Sequence, residues 1–194
     1  MPSVQKALLT PEEYLQRDRQ ADFKSEFYRG EMFAMAYASA KHNLIVSNAI
    51  VSLGSQLKQR PCRVYPSDLR VQVQATGLFT YPDLSIVCGE PQFEHGQGDV
   101  LVNPDVVVEV LSESTEAYDR GKKFEHYRQI PSLKQYVLIA QDRHSVEVFT
   151  RTGEDEWTLR AEQSPSASVE LASIECNLPL AEVYDKVDLD SDDS

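Results

Sequence analysis

At 194 residues, with 41% hydrophobic and 26% charged side chains, the chain has the composition of one soluble globular domain with a sizeable core. Its net charge of -12 argues against a strong non-specific DNA binder, yet the charge is unevenly placed. Residues 1–153 hold 17 basic and 19 acidic side chains and residues 154–194 hold 2 and 12, so the body is nearly neutral and the acidity is C-terminal.

The three cysteines, Cys62, Cys88 and Cys176, form no CxxC pair or Cys/His cluster. That excludes a zinc motif, argues against a disulfide framework and favours a reducing, cytoplasmic setting. No cleavable leader is evident, and no apolar run approaches the ~18–20 residues of a membrane span.

In chain order, Thr10-Pro11-Glu12-Glu13 reads as a capped helix start, with the helix running to about Arg19. "SEFYRGEMFAMAY" reads as two short strands turning at Gly30. Residues 41–59 form a long helix with Leu44, Ile45, Ala49, Val51, Leu53 and Leu57 on its buried face, stopped by Pro61. "DLRVQVQ" (68–74) alternates as a strand, and "FTYPDLSIVCG" (79–89) returns as its hairpin partner. After a loop at 91–98 comes "DVVVEVL" (105–111), apolar on both faces as a covered central strand should be. A helix at 117–130 follows, with Ala117, Phe124, Tyr127 and Ile130 inward, then strands at 135–140 and 145–151. The strand–helix–strand order implies a parallel crossover, right-handed by rule. An edge hairpin with "WTLRAEQ" and a short helix near Leu180–Tyr184 complete one domain, 1–184, followed by an acidic mobile tail, 185–194.

The central strand carries two acids among its valines. Asp105 and Glu109 are four residues apart and share a face. Asp105, directly after Pro104, reads as a strand-start residue. Glu109 lies at the far end, and Asp83 in "YPDLSIV" lies on a neighbouring strand. Paired carboxylates at adjacent strand ends suit a hard cation such as Mg2+, which takes oxygen ligands and stabilises charge at a phosphodiester. The competing interpretation is a set of ordinary strand-end acids paired with nearby arginines. Two basic clusters, Lys58/Arg60/Arg63/Arg70 and Arg120/Lys122/Lys123/Arg128, would bind phosphates only if they shared one face.

Seven stretches carry a family resemblance: "FKSEFYRGEMFAM", "HNLIVSNA", "YPSDLRV", "YPDLSIV", "VVVEVLSEST", "YDRGKKFEHYRQ" and "YVLI". In this order and spacing the chain resembles the Uma-two family of restriction-endonuclease-like proteins, in the PD-(D/E)XK nuclease superfamily. The resemblance implies an α/β fold, a mixed central sheet flanked by helices. It implies an endonuclease hydrolysing phosphodiester bonds in DNA with Mg2+, or Mn2+ as substitute. Asp83 and Glu109 would hold the metal together with the carbonyl of Val110. Leu111 stands where the superfamily lysine is usual, and the lysine function is assigned to "DRGKK", with Lys123 first and Lys122 second. Glu26 would be a further acidic member, and His42 and Asp68 are weaker candidates. Glu113 departs from the family's S-P-S-T form and adds negative charge beside the site. The resemblance also suggests a homodimer, since two sites are needed to cut both strands. The rival in a different class is a catalytically inactive nucleic-acid- or protein-binding module on the same fold.

Overall fold

The computed structural model describes residues 8–94 and 98–189. Helix α1 (Pro11–Asp18) has the expected capping box: the Thr10 hydroxyl accepts from the Glu13 N–H and the Glu13 carboxylate accepts from the Thr10 N–H. Strands β1 (Ser25–Tyr28) and β2 (Glu31–Ala34) form the expected hairpin. Its two turn residues, Arg29 and Gly30, both have positive φ, at 50° and 83°. A Cβ on Gly30 would sit 2.6 Å from that of Leu8, so glycine is required there for space as well as for φ.

The main chain then builds two sheets. The larger has six strands in the order β11-β10-β9-β8-β6-β3: Trp157–Glu162, Val146–Arg151, Gln135–Ala140, Val106–Leu111, Leu84–Cys88 and Cys62–Pro66. Only β8 and β9 are parallel, as the crossover required, and the remaining pairs are antiparallel. The second sheet has five strands, β2-β1-β5-β4-β7, using β4 (Arg70–Val73), β5 (Leu78–Thr80) and β7 (Val100–Leu101). The mixed α/β sheet flanked by helices is thus present, with a second sheet beside it.

The two faces of the larger sheet follow from alternation along β8. Val106, Val108 and Val110 face α2 (Ala40–Leu57), whose Ile45, Ala49, Leu53 and Leu57 pack against them. The small sheet of β12 (Ser168–Leu171) and β13 (Cys176–Pro179) and helix α5 (Leu180–Val183) contribute to the same core. Val107 and Leu111 face the other way, toward Tyr127, Ile130 and Tyr136 and toward Val71, Val73, Leu78 and Leu101 of the second sheet. Glu109 shares this second face and is enclosed between the two sheets and the crossover helix.

Several expectations are corrected. Residues 79–89 are not one strand: β5 pairs with β4 in the second sheet, the chain breaks at Pro82-Asp83, and β6 enters the larger sheet. Pro82 lacks the N–H that a continuous ladder needs. The crossover is not one regular helix. It consists of α3 (Glu116–Tyr118), a π-helical segment (Asp119–Lys123) and α4 (Phe124–Tyr127). Ala117 and Val51, expected inside, are exposed.

Cys62 and Cys88, 26 residues apart, lie opposite one another across β3 and β6 and form a disulfide, while Cys176 is free and buried. The cysteine argument for a reducing compartment therefore does not hold: sequence spacing gave no sign that the strands would place these two side by side. Among the described residues no helix is long and apolar enough to cross a membrane. Of the acidic tail, Val187 and Leu189 pack against the core, and residues 190–194 lie outside the described residues.

Candidate active site

The site begins where β6 and β8 stop pairing. Their register, Leu84 opposite Val108, places Asp83 and Glu109 at the next step. Beyond Val108 the backbone ladder is replaced by a side chain. The Asp83 Oδ2 accepts from the Val110 N–H at 2.7 Å, and its Oδ1 lies 2.9 Å from His42 Nε2. His42 is in the first turn of α2, and its own N–H is capped by the Ser39 hydroxyl. Both oxygens of Asp83 are therefore oriented by fixed elements, the strand β8 and the N-terminus of α2.

Lys123 reaches the site from the π segment. Its Nζ lies 2.9 Å from Glu109 Oε1, 3.4 Å from Asp119 Oδ1 and 3.4 Å from Glu26 Oε1. Asp119 and Lys123, four residues apart, share the inward face of this segment. Tyr136 donates its hydroxyl to the Asp119 carbonyl, and a side chain inserted at a helical carbonyl is one way a turn is widened. Lys123 is buried and Lys122 is exposed, so the lysine that reaches the acids is Lys123. Aromatic packing seats the segment: Phe124 stacks on Tyr136, and Tyr127 lies against the same ring.

Glu26 arrives from the second sheet. Its Oε1 accepts from the Thr80 hydroxyl and its Oε2 from Tyr118, at 2.5 and 3.1 Å. Tyr127 donates to Glu109 Oε1 at 2.8 Å. One ammonium thus lies among Glu26, Glu109 and Asp119, with Asp83 one register step away.

The electrostatics follow from that ratio. Burial pushes the Glu109 carboxyl up to about 8; Lys123 opposes this, while Asp119 and Asp83 add to it. Burial likewise raises Asp119 against the pull of Lys123. Burial alone would lower Lys123, but Glu109, Tyr127, Glu26 and Asp119 outweigh it and hold the ammonium well above the ordinary lysine range. A single cation shared by several acids cannot fully compensate each of them. Among the described residues, only two buried side-chain polar atoms lack a hydrogen-bond partner, and Asp119 Oδ1 is one of them.

The other candidates are elsewhere. Asp68 is exposed and pairs with Lys24. Asp105, at the opposite end of β8, accepts from the Cys88 N–H and pairs with Lys134. Glu113 is exposed in the turn after β8. The basic clusters do not form one phosphate face. Arg70 is buried against Asp18 and Asp99, Arg120 pairs with Glu116 and Glu147, and Arg60 and Arg63 bond backbone carbonyls. Lys122 and Arg128 remain exposed on the crossover. Asp119, Tyr118, Tyr127 and Thr80 were missed from sequence. The repeat of Asp119, Lys123 and Tyr127 at steps of four was the available signal for two of them.

The sequence profile described as "Uma2: Putative restriction endonuclease" matches residues 11–181. The chain belongs to the Uma2 family. Two Synechocystis proteins, both named only as uncharacterized, sll1609 and slr1290, are similar to this Uma2 chain. The first is 36% identical over 165 residues, 85% of this chain and 93% of that protein. The second is 33% identical over 183 residues, 94% of this chain and 95% of that protein. A solved structure from Anabaena variabilis, titled a putative nuclease belonging to DUF820, superposes with a TM-score of 0.74 at 22% identity. It covers 91% of this chain and 97% of that one. The Uma2 chain therefore has the fold of that structure, and family and fold together support a nuclease of the restriction-endonuclease-like type.

A divalent cation fits the chemistry of the site. The donors are all oxygen, and the acids outnumber the lysine. Among the described residues no three His, Cys, Asp or Glu side chains are gathered as a ready cage. A hard cation here would draw on two carboxylates and complete its shell with backbone carbonyl, water and phosphate oxygen, the usual composition for Mg2+.

Proposed function

We propose that this Uma2 protein is a Mg2+-dependent endonuclease that hydrolyses phosphodiester bonds in DNA. The observation that carries the proposal is the convergence of Lys123 on Glu109, one register step from Asp83, although no lysine stands at the superfamily's usual position in β8. The π turn delivers the lysine to the acids from the following helix.

In this reading Asp83, Glu109 and the Val110 carbonyl hold the cation, with Mn2+ as a substitute. A bound Mg2+ would stabilise negative charge on the phosphate and lower the pKa of water at the site. His42 and the Val110 N–H fix the plane of the Asp83 carboxylate, a constraint of the kind that outer partners impose on metal ligands. Lys123 positions the attacking water and offsets phosphate charge, and Glu26, fixed by Thr80 and Tyr118, orients the lysine. The proposal makes the enzyme a homodimer on its DNA, because one site cuts one strand.

The test is cleavage of plasmid and oligonucleotide DNA with Mg2+ or Mn2+, comparing wild type with Asp83→Ala and Glu109→Ala. Both variants should fold and both should lose cation-dependent cleavage. Retention of cleavage in both would overturn the assignment.

One observation favours a second reading, a module that binds nucleic acid without cutting it. The side chains of Lys123 and Glu109 are only 6% and 5% exposed and already contact one another at 2.9 Å. Gel-shift binding that persists without divalent cation, and no cleavage with any metal, would select that reading.

A further inference from the structure

Lys123 presents a problem once Glu109 is asked to take a cation. Glu109 Oε1 carries both the Tyr127 hydroxyl and the Lys123 ammonium. Turning that carboxylate toward a cation weakens its hold on the lysine. A buried ammonium left without a partner is strongly unfavourable, so another acid must take the charge.

Two other acids lie near the ammonium, and their hydrogen bonding differs. Glu26 is already occupied on both oxygens, by Thr80 and by Tyr118. The Asp119 side chain is only 4% exposed, its Oδ1 faces Lys123 at 3.4 Å, and that atom has no hydrogen bond. A shift of about half an ångström would bring the pair to hydrogen-bond length. Asp119 and Lys123 also open and close the same π segment, so they sit on one inward face of one element. A buried carboxylate oxygen without a hydrogen bond calls for an explanation, and a waiting partner for a mobile ammonium supplies one.

We propose that Asp119 is a positioning residue that takes over Lys123 when Glu109 turns to a divalent cation, so that the lysine is handed from one carboxylate to the other within the site. The inference rests on the cation reading above. Asp119 acts through Lys123 and does not itself ligate the cation.

Calorimetric titration of the full chain with MnCl2 at low ionic strength tests this in four proteins: wild type, Asp119→Asn, Lys123→Met and the double variant. Asp119→Asn should weaken Mn2+ binding about tenfold while Lys123 is present, the size expected of coupled neighbours. In the Lys123→Met background the same substitution should leave the affinity unchanged. A purely structural role for Asp119 would not depend on the lysine. An equal loss in both backgrounds would make Asp119 a ligand and overturn the inference, as would no loss beside Lys123. Wild type that takes up no Mn2+ would overturn the cation reading itself, and the inference with it; that result is read before any variant is compared.

A second measurement needs no variant. In Mn2+-soaked crystals of the wild type, the Lys123 Nζ–Asp119 Oδ1 distance should shorten from 3.4 Å and the Nζ–Glu109 distance should lengthen from 2.9 Å. Unchanged distances with the cation bound would overturn the hand-over.

Discussion

The two ends of strand β8 each carry a buried acid on the same face, and they have opposite surroundings. At the first end Asp105 is matched by Lys134, which is 55% exposed, and by the Cys88 N–H. At the other end Glu109 shares one fully enclosed lysine with Asp119 and Glu26, and Asp83 is beside it. A third acid, Asp18, shows that burial alone does not produce this imbalance. Its carboxylate is fully buried, yet it accepts from Arg70, Tyr81 and the Ser25 N–H. The difference lies in the ratio of acids to donors. Matched acids hold strands together, whereas an excess of acids around one ammonium leaves buried carboxylates incompletely compensated.

The comparison can be broken most forcefully at Glu109. Glu109→Gln keeps the size of the side chain and removes its charge. Cation-dependent cleavage should fall by about 10²–10³-fold or more, by analogy with loss of one electrostatic catalytic group, while thermal unfolding stays cooperative. Asp18→Ala should act the other way. It leaves Arg70 buried without its main counter-ion and should lower unfolding free energy by about 3–5 kcal/mol in chemical denaturation.

The pH dependence separates the two classes further. An unfolded chain loses the Glu109 proton near 4.5, whereas the folded chain keeps it to about 8. The folded state thus binds more protons in that window, and this group's contribution to stability falls as pH rises from about 4.5 to about 8. Metal-free wild type should therefore lose stability relative to Glu109→Gln across that range, and Mn2+ affinity should rise as proton and cation compete. A wild type that gains stability over Glu109→Gln with rising pH would contradict the account.

The smaller effects sharpen the same contrast. Asp105→Ala should cost about 1–3 kcal/mol, because the Cys88 N–H loses its acceptor, with cleavage per folded molecule unchanged. Lys122→Ala should change stability by no more than about 0.5 kcal/mol and leave cleavage intact, whereas Lys123→Ala should abolish it.

Much of this arrangement was legible in the residues. The run of valines in β8 and the following helix and strand fixed the parallel crossover, and alternation placed Asp105 and Glu109 on one face. The neighbourhood of Asp83 and Glu109 followed from adjacent strands. What could not be read was long-range pairing. Nothing local told that residues 79–89 would split between two sheets at Pro82-Asp83, or that Cys62 would face Cys88. Helical periodicity of 3.6 put Ala117 inside; a hydroxyl from β9 and a π turn put Asp119 and Lys123 there instead. Glu26 came within reach only through the second sheet, whose packing against the crossover has no signature in either segment.

The central claim is that the acid-rich end of β8 accommodates a divalent cation and the matched acids do not. Anomalous difference density from Mn2+-soaked crystals tests it directly. A peak at coordination distance, roughly 2–2.5 Å, from carboxylate oxygens of Asp83 and Glu109, with none at Asp105 or Asp18, is the predicted result. Density at the matched acids, or none at Asp83 and Glu109 even with an oligonucleotide bound, would contradict it.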